Sequence, residues 1–176
     1  MCSMFVKNPK AKIKTMVNNQ PFLGVILIIF VHALINYIWL KKDNFPLWFD
    51  YGGYYQRSLE LYYASRQSFA DFISAFLGTG DYAHSYFPQR IIFPLLSLPV
   101  YSFFGVGPDT AVMSCTIFLT ICLFSIYAIT AKMFDRVTGF WAAFILSTNP
   151  GFFTYNRRYS LDFADTAMIA QAAYFL

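Results

Sequence analysis

From Pro21 to Leu40 the chain runs for about 20 residues without a formal charge, in a composition dominated by Leu, Ile, Val and Phe. A helix of that length rises roughly 30 Å, the thickness of a bilayer's hydrocarbon core. A comparable uncharged run extends from Ala111 to Ala131, and a third apolar stretch covers Val137 to Asn156. Chains with several such runs have few options, because backbone polar groups in hydrocarbon must be paired within the segment itself. The expected class is therefore all-α and integral to a membrane, with about three to four transmembrane helices. Only 12% of the residues are charged and 57% are hydrophobic, against roughly a quarter charged in a soluble domain.

Charge placement then suggests a topology. Lys7, Lys10, Lys12 and Lys14 lie in residues 1–20 without an acid among them, and by the positive-inside tendency this tail stays in the cytoplasm. Lys41 and Lys42 oppose that assignment, but four lysines outweigh two. The first apolar run is long, has bulky flanks and lacks a small-residue cleavage pattern, so it reads as an uncleaved span over 21–41. Lys132 and Arg136 mark a short cytoplasmic turn at 132–137 between spans at 109–131 and 138–156.

Those two basic ends agree only if the apolar segment 91–106 does not cross. It is short, and Pro94 and Pro99 interrupt it, so a re-entrant or interface-lying segment is expected. Residues 42–108 then form a long extracytoplasmic first loop carrying interfacial helices. Within it, Tyr55, Leu59, Tyr62 and Tyr63 recur at helical spacing with Arg57, Glu60 and Arg66 offset, which predicts an amphipathic helix in the membrane interface. A second outer loop is expected at 157–162. Residues 163–176 open a fourth apolar helix, about 14 residues in, and suggest a piece of a longer polytopic protein. Asp109 or Thr110 is the expected cap of the second span.

Two acidic positions fall at span edges on the same predicted side: Asp50, before Gly52-Gly53, and Asp162 with Asp165 one turn later. Asp50 reads equally as a helix cap and as a chemical group. Asp162 and Asp165 suit the first turn of a helix as well as a site. Arg90, Arg157 and Arg158 are outer-face cations able to hold a phosphate or a lipid headgroup. The tyrosines fit an aromatic belt as well as a sugar-stacking surface. His32 is polar at mid-span without an acid nearby, and a bond to a neighbouring helix is its expected role. Cys2, Cys115 and Cys122 have no metal spacing, and Cys115 and Cys122 read as small buried residues. No nucleic-acid motif is present.

In order and spacing these segments resemble the N-terminal part of the polytopic GT-C glycosyltransferases, the superfamily of protein O-mannosyltransferases and aminoarabinose transferases. The resemblance rests on Asp50-Tyr-Gly-Gly-Tyr54-Tyr55-x-x-Ser58-Leu59, on Phe104-Gly105 closing the Pro-containing segment before a span that ends at Lys132-Met-Phe134-Asp-Arg136, and on Asn149-Pro150 followed by Arg157, Arg158 and Asp162. It covers most of residues 20–176. One departure is Pro88-Gln89-Arg90, where related transferases often carry an acid, and it leaves the donor open.

The resemblance implies transfer of a sugar from a polyprenyl-phosphate carrier to an acceptor at the extracytoplasmic face, in a bacterial inner membrane. Asp50 would be the general base, with Arg90, Arg157, Tyr54, Tyr55 and Asp162 on the substrates. Some members of the superfamily hold a divalent metal such as Mg or Mn, for which Asp162 and Asp165 would be the ligands, and others need none. The competing expectation is a non-catalytic polytopic membrane protein, a transporter subunit or a degenerate paralogue. Its weakness is that the spans are plain, no repeat is visible and the acids sit at span edges.

Overall fold

A computed structural model describes residues 9–42, 50–82 and 91–176, and in these the chain is helical with no strand. The first helix, α1 (Pro9–Leu40), passes through Pro21 without stopping. After it come α2 (Asp50–Gln67), α3 (Phe69–Leu77), a 3-10 turn at Gly80–Tyr82, α4 (Ile92–Leu95) and α5 (Ser97–Phe104). A second long rod follows as α6 (Pro108–Met113) and α7 (Cys115–Met133), and the chain closes with α8 (Arg136–Thr148), α9 (Pro150–Tyr155) and α10 (Leu161–Phe175).

Two of these rods are long and apolar enough to cross a membrane, Gln20–Leu40 and Pro108–Met133. They differ in surroundings: 22% of the first is buried inside the protein and 50% of the second. The second is thus the central post and the first a flanking one, with Leu23, Leu27 and Phe30 facing outward. Around the post, α1 and α8 run one way, α7 and α10 the other. Phe22 of α1 stacks on Phe124 and Tyr127 near the end of α7, and Ser125 of α7 donates to the Gln171 amide oxygen of α10 at 2.7 Å.

At one end of this bundle the packing relies on glycine. A Cβ on Gly139 would stand 2.7 Å from the Tyr127 carbonyl oxygen and 3.2 Å from the Ala131 Cβ; one on Gly24 would stand 2.6 Å from the Phe140 ring. Asp135 starts α8 there. Its carboxylate accepts from the Val137 and Thr138 amides and from the Thr138 hydroxyl, and these bonds hold it below the usual carboxylate range.

The other end is covered by the layer of α2–α6. The sequence predicts Tyr55, Leu59, Tyr62 and Tyr63 as the apolar stripe of an interfacial helix, with Arg57 and Glu60 off it. Instead the buried face is Tyr54, Arg57, Ser58, Leu61 and Ala64, shifted round the helix. Arg57 can turn inward because Glu60 Oε2 lies 3.0 Å from its Nη1 and the Ala75 carbonyl of α3 accepts from its Nη2. Leu61, Ala64 and Ala75 form a small second core against Phe72, Phe76 and Leu98.

Two further differences have local causes. The second rod is not capped by Asp109 or Thr110: Gly107 is its N-cap, Pro108 starts it, and Asp109 sits in the first turn. The stretch drawn as one run from Val137 to Asn156 divides at Asn149, whose side chain caps α9 through the Gly151 and Phe152 amides. Pro150 has no N–H to continue α8. The segment 91–106 is two short helices, separated at Leu96.

Candidate functional site

The candidate site lies at the covered end of the bundle, where the end of α1, the α2–α6 layer and the 156–160 turn meet. Arg157 sits in that turn. Its Nε donates to Asn36 Oδ1 of α1 at 3.2 Å, and its guanidinium lies 3.7 Å from the Phe153 ring centroid and 4.8 Å from that of Trp39. Asn36 is buried, so the charge-free stretch of α1 presents a buried polar acceptor to this cation. Aromatic faces hold a guanidinium without removing its charge.

His32, one turn before Asn36, stacks edge-on against Phe153 at 5.4 Å. Its Nδ1 is buried without a hydrogen-bond partner among the described residues, so the expected bond to a neighbouring helix is a ring contact. Asn156 is 1% exposed, and among the described residues neither of its amide atoms has a partner, nor does the buried Ser160 hydroxyl. Ser160 is the N-cap residue of α10 but makes no side-chain cap bond.

Tyr159, between them, is fully paired. Its hydroxyl lies 2.6 Å from Ser97 Oγ, which lies 3.0 Å from Ser114 Oγ. Close by, Ser58 Oγ lies 2.6 Å from the Tyr101 hydroxyl. The donors can be assigned, since each hydroxyl has one proton. Ser114 gives its proton to the Ala111 carbonyl and Ser58 to the Tyr55 carbonyl. Ser114 must then accept from Ser97, which accepts from Tyr159, and Ser58 must accept from Tyr101. The two strings meet on α5, which carries both Ser97 and Tyr101. Burial pushes both phenols well above their ordinary range, and for Tyr159 the Tyr101 phenol adds to it. Both stay protonated, as the bond directions require.

An aromatic stack runs alongside. Tyr54 meets Phe93 edge-on at 5.7 Å, and Phe93 lies 4.4 Å from Tyr159 and 5.6 Å from Phe118. The Arg158 carbonyl accepts from Cys115 Sγ at 3.4 Å, which ties the turn to the start of α7. Cys115 and Cys122 are both buried.

The residues named from the sequence are distributed as follows. Asp50 is the first residue of α2. Tyr54 is buried in the main core and Tyr55 half-buried beside it, with burial, then Tyr63, raising the Tyr55 phenol. Arg157 joins α1 to the turn. Asp162 and Asp165 are exposed in the first turns of α10. Arg158 is exposed beside the Tyr155 ring. Arg90 lies outside the described residues. The fold therefore gathers α2, Arg157 and the start of α10 at one end. Among the described residues no three His, Cys, Asp or Glu side chains come together, so Asp162 and Asp165 alone do not supply the six or more oxygens a divalent cation takes. The hydroxyl cluster, Asn36 and Trp39 have no counterpart in the sequence reading. Comparison with family models, with curated proteins and with solved structures finds no match to this chain.

Proposed function

We propose that the chain is the N-terminal, membrane-embedded part of a glycosyltransferase that moves a sugar from a polyprenyl-phosphate carrier to an acceptor at the extracytoplasmic face. In this reading the lysine-rich tail is cytoplasmic, α1 leads outward, the α6–α7 rod returns, and the α2–α6 layer covers the outer end, in a bacterial inner membrane. The observation that carries it is the gathering of three parts at that end: the helix that Asp50 opens, the guanidinium on its Trp39–Phe153 platform, and the acid-bearing start of α10.

The step is an inverting displacement. The Asp50 carboxylate takes the proton of an acceptor hydroxyl as its oxygen attacks the anomeric carbon. The bond from that carbon to the phosphate oxygen breaks, and its electron pair leaves with the polyprenyl phosphate. Arg157 and Arg90 neutralise the charge that grows on the phosphate. Tyr55 and the exposed edge of the aromatic layer face the sugar, and Tyr54 supports them from the core. Asp162 orients the sugar hydroxyls. No part of the step is routed through a metal.

The test uses membranes from cells making the protein, supplied with radiolabelled polyprenyl-phosphate hexoses and pentoses. Label should pass to an acceptor, and Asp50→Asn should lower the rate on the order of 10²–10⁴-fold. Transfer at the parent rate by Asp50→Asn would leave Asp50 a helix-opening residue. Absence of transfer from every lipid-linked sugar would favour the non-catalytic membrane protein.

A further inference from the structure

We infer that Tyr159, through the buried hydroxyl cluster, is a positioning residue that fixes the α2 layer against the turn that opens α10. The inference rests on the transferase reading for its functional meaning, but its structural content stands apart. Five hydroxyls from four places in the chain meet without water access: Ser58 of α2, Ser97 and Tyr101 of α5, Ser114 between α6 and α7, and Tyr159 of the turn. The residues paired are 43, 17 and 62 apart in sequence, so the bonds knit separate segments rather than serve one helix.

The bond directions show what kind of device this is. Every proton is committed, each string ends on a backbone carbonyl, and each phenol already gives its one proton to a serine. A relay would need one free to move, whereas a lock needs none. A fully satisfied polar network in a low-dielectric interior selects one arrangement, because every alternative leaves a buried donor or acceptor unpaired. Tyr159 stands three residues before Asp162, and Ser58 two turns into the helix that Asp50 opens. Holding these together sets the distance between the two acid-bearing segments.

The contrast within the turn sharpens this. Asn156 and Ser160 flank Tyr159 and carry buried atoms with no partner among the described residues. Arg157 ties the turn to α1 and the Arg158 carbonyl ties it to α7. Tyr159 is the side chain that ties it to α5.

The experiment places nitroxide labels at Gln56→Cys on α2 and Thr166→Cys on α10, both exposed, in a Cys2→Ser background with the protein in nanodiscs. Cys115 and Cys122 are buried and stay unlabelled. The parent should give a narrow distance distribution. Tyr159→Phe and Tyr101→Phe, which keep the rings and lose the hydroxyls, should broaden or displace it. Ser125→Ala, which removes the half-buried bond to Gln171, should not. If Tyr159→Phe does not fold, Ser97→Ala removes the hydroxyl that accepts from Tyr159 and leaves both rings intact. A parent-like distribution in the hydroxyl variants, or equal broadening in Ser125→Ala, would overturn the inference. In the transfer assay Tyr159→Phe should lose kcat on the order of 10²-fold with KM nearly unchanged, the cost of a displacement near 1 Å at a reacting centre. Broadened distances with no transfer by any form would keep the lock and sink the transferase.

Discussion

The two ends of the bundle are held by opposite means. At the end where α7 turns into α8, close approach is made by absence: Gly139 lets α8 lie on the Tyr127 carbonyl, and Gly24 makes room for the Phe140 ring. At the other end, approach is made by directed bonds, a guanidinium on two rings and five hydroxyls in a defined order. Shape alone sets how near two helices come. Directed bonds also set how they are turned, which a site built from several segments requires. The difference separates an end fixed by shape from an end fixed by direction.

The largest effect that would test this division is at Gly139. Gly139→Val should destabilise by about 3 kcal/mol, read by SDS titration in bicelles, since the added carbons meet a backbone carbonyl that cannot move aside. Gly24→Ala should cost clearly less, because the obstacle there is the edge of a ring that can swing. Equal costs would mean that this end yields as a whole. Next is Arg57→Met, with an expected loss of about 2 kcal/mol from the charged bonds to Glu60 and the Ala75 carbonyl. The same melt reports it, and no loss would mean that α2 and α3 adhere through their apolar contacts alone.

The sequence shows why Arg57 is instructive. The long uncharged runs announce α1 and the α6–α7 rod directly, because charge-free length has few other outcomes. The face of α2 was not legible. Charged residues were placed toward solvent by their type, whereas the fold supplies Arg57 with an acid one turn on and a carbonyl on the next helix, so its charge goes inward. Asn149-Pro150 carried its own break signal, and hydrophobicity running past it to Asn156 concealed it. At the site, Arg157 and Asp162 were legible as polar residues at an apolar edge. The hydroxyl cluster was not, because its members are ordinary Ser and Tyr that gain meaning only from contacts across the chain.

Smaller effects separate paired from unpaired groups. Tyr101→Phe should cost about 1 kcal/mol, one buried hydrogen bond, and the loss should be visible in the same titration. Asn156→Leu should cost nothing or stabilise, since it removes a buried amide that has no partner among the described residues. A loss comparable to that of Tyr101→Phe would show that Asn156 is satisfied in the assembled protein.

The smallest effect belongs to the glycine end and depends on pH. Asp135 has a folded-state pKa below its ordinary value, so its contribution is present above that ordinary value and is lost as pH falls through the lower one. Asp135→Ala should therefore melt below the parent at neutral pH, and the gap should close as the pH is taken below about 4. A gap that persists in acid would assign it to the helix propensities of the two side chains.

The break at Asn149-Pro150 bears on the lipid as well as on the chain. A helix of 13 residues rises about 20 Å, some two-thirds of the hydrocarbon depth that the longer rods match. A bilayer meeting such a mismatch thins locally around the short element. Beside α8 the headgroup plane would dip toward Asn149 and the 156–160 turn. In the proposed transferase, a phosphate carried on a long isoprenoid tail would then reach Arg157 without drawing that tail out of the membrane.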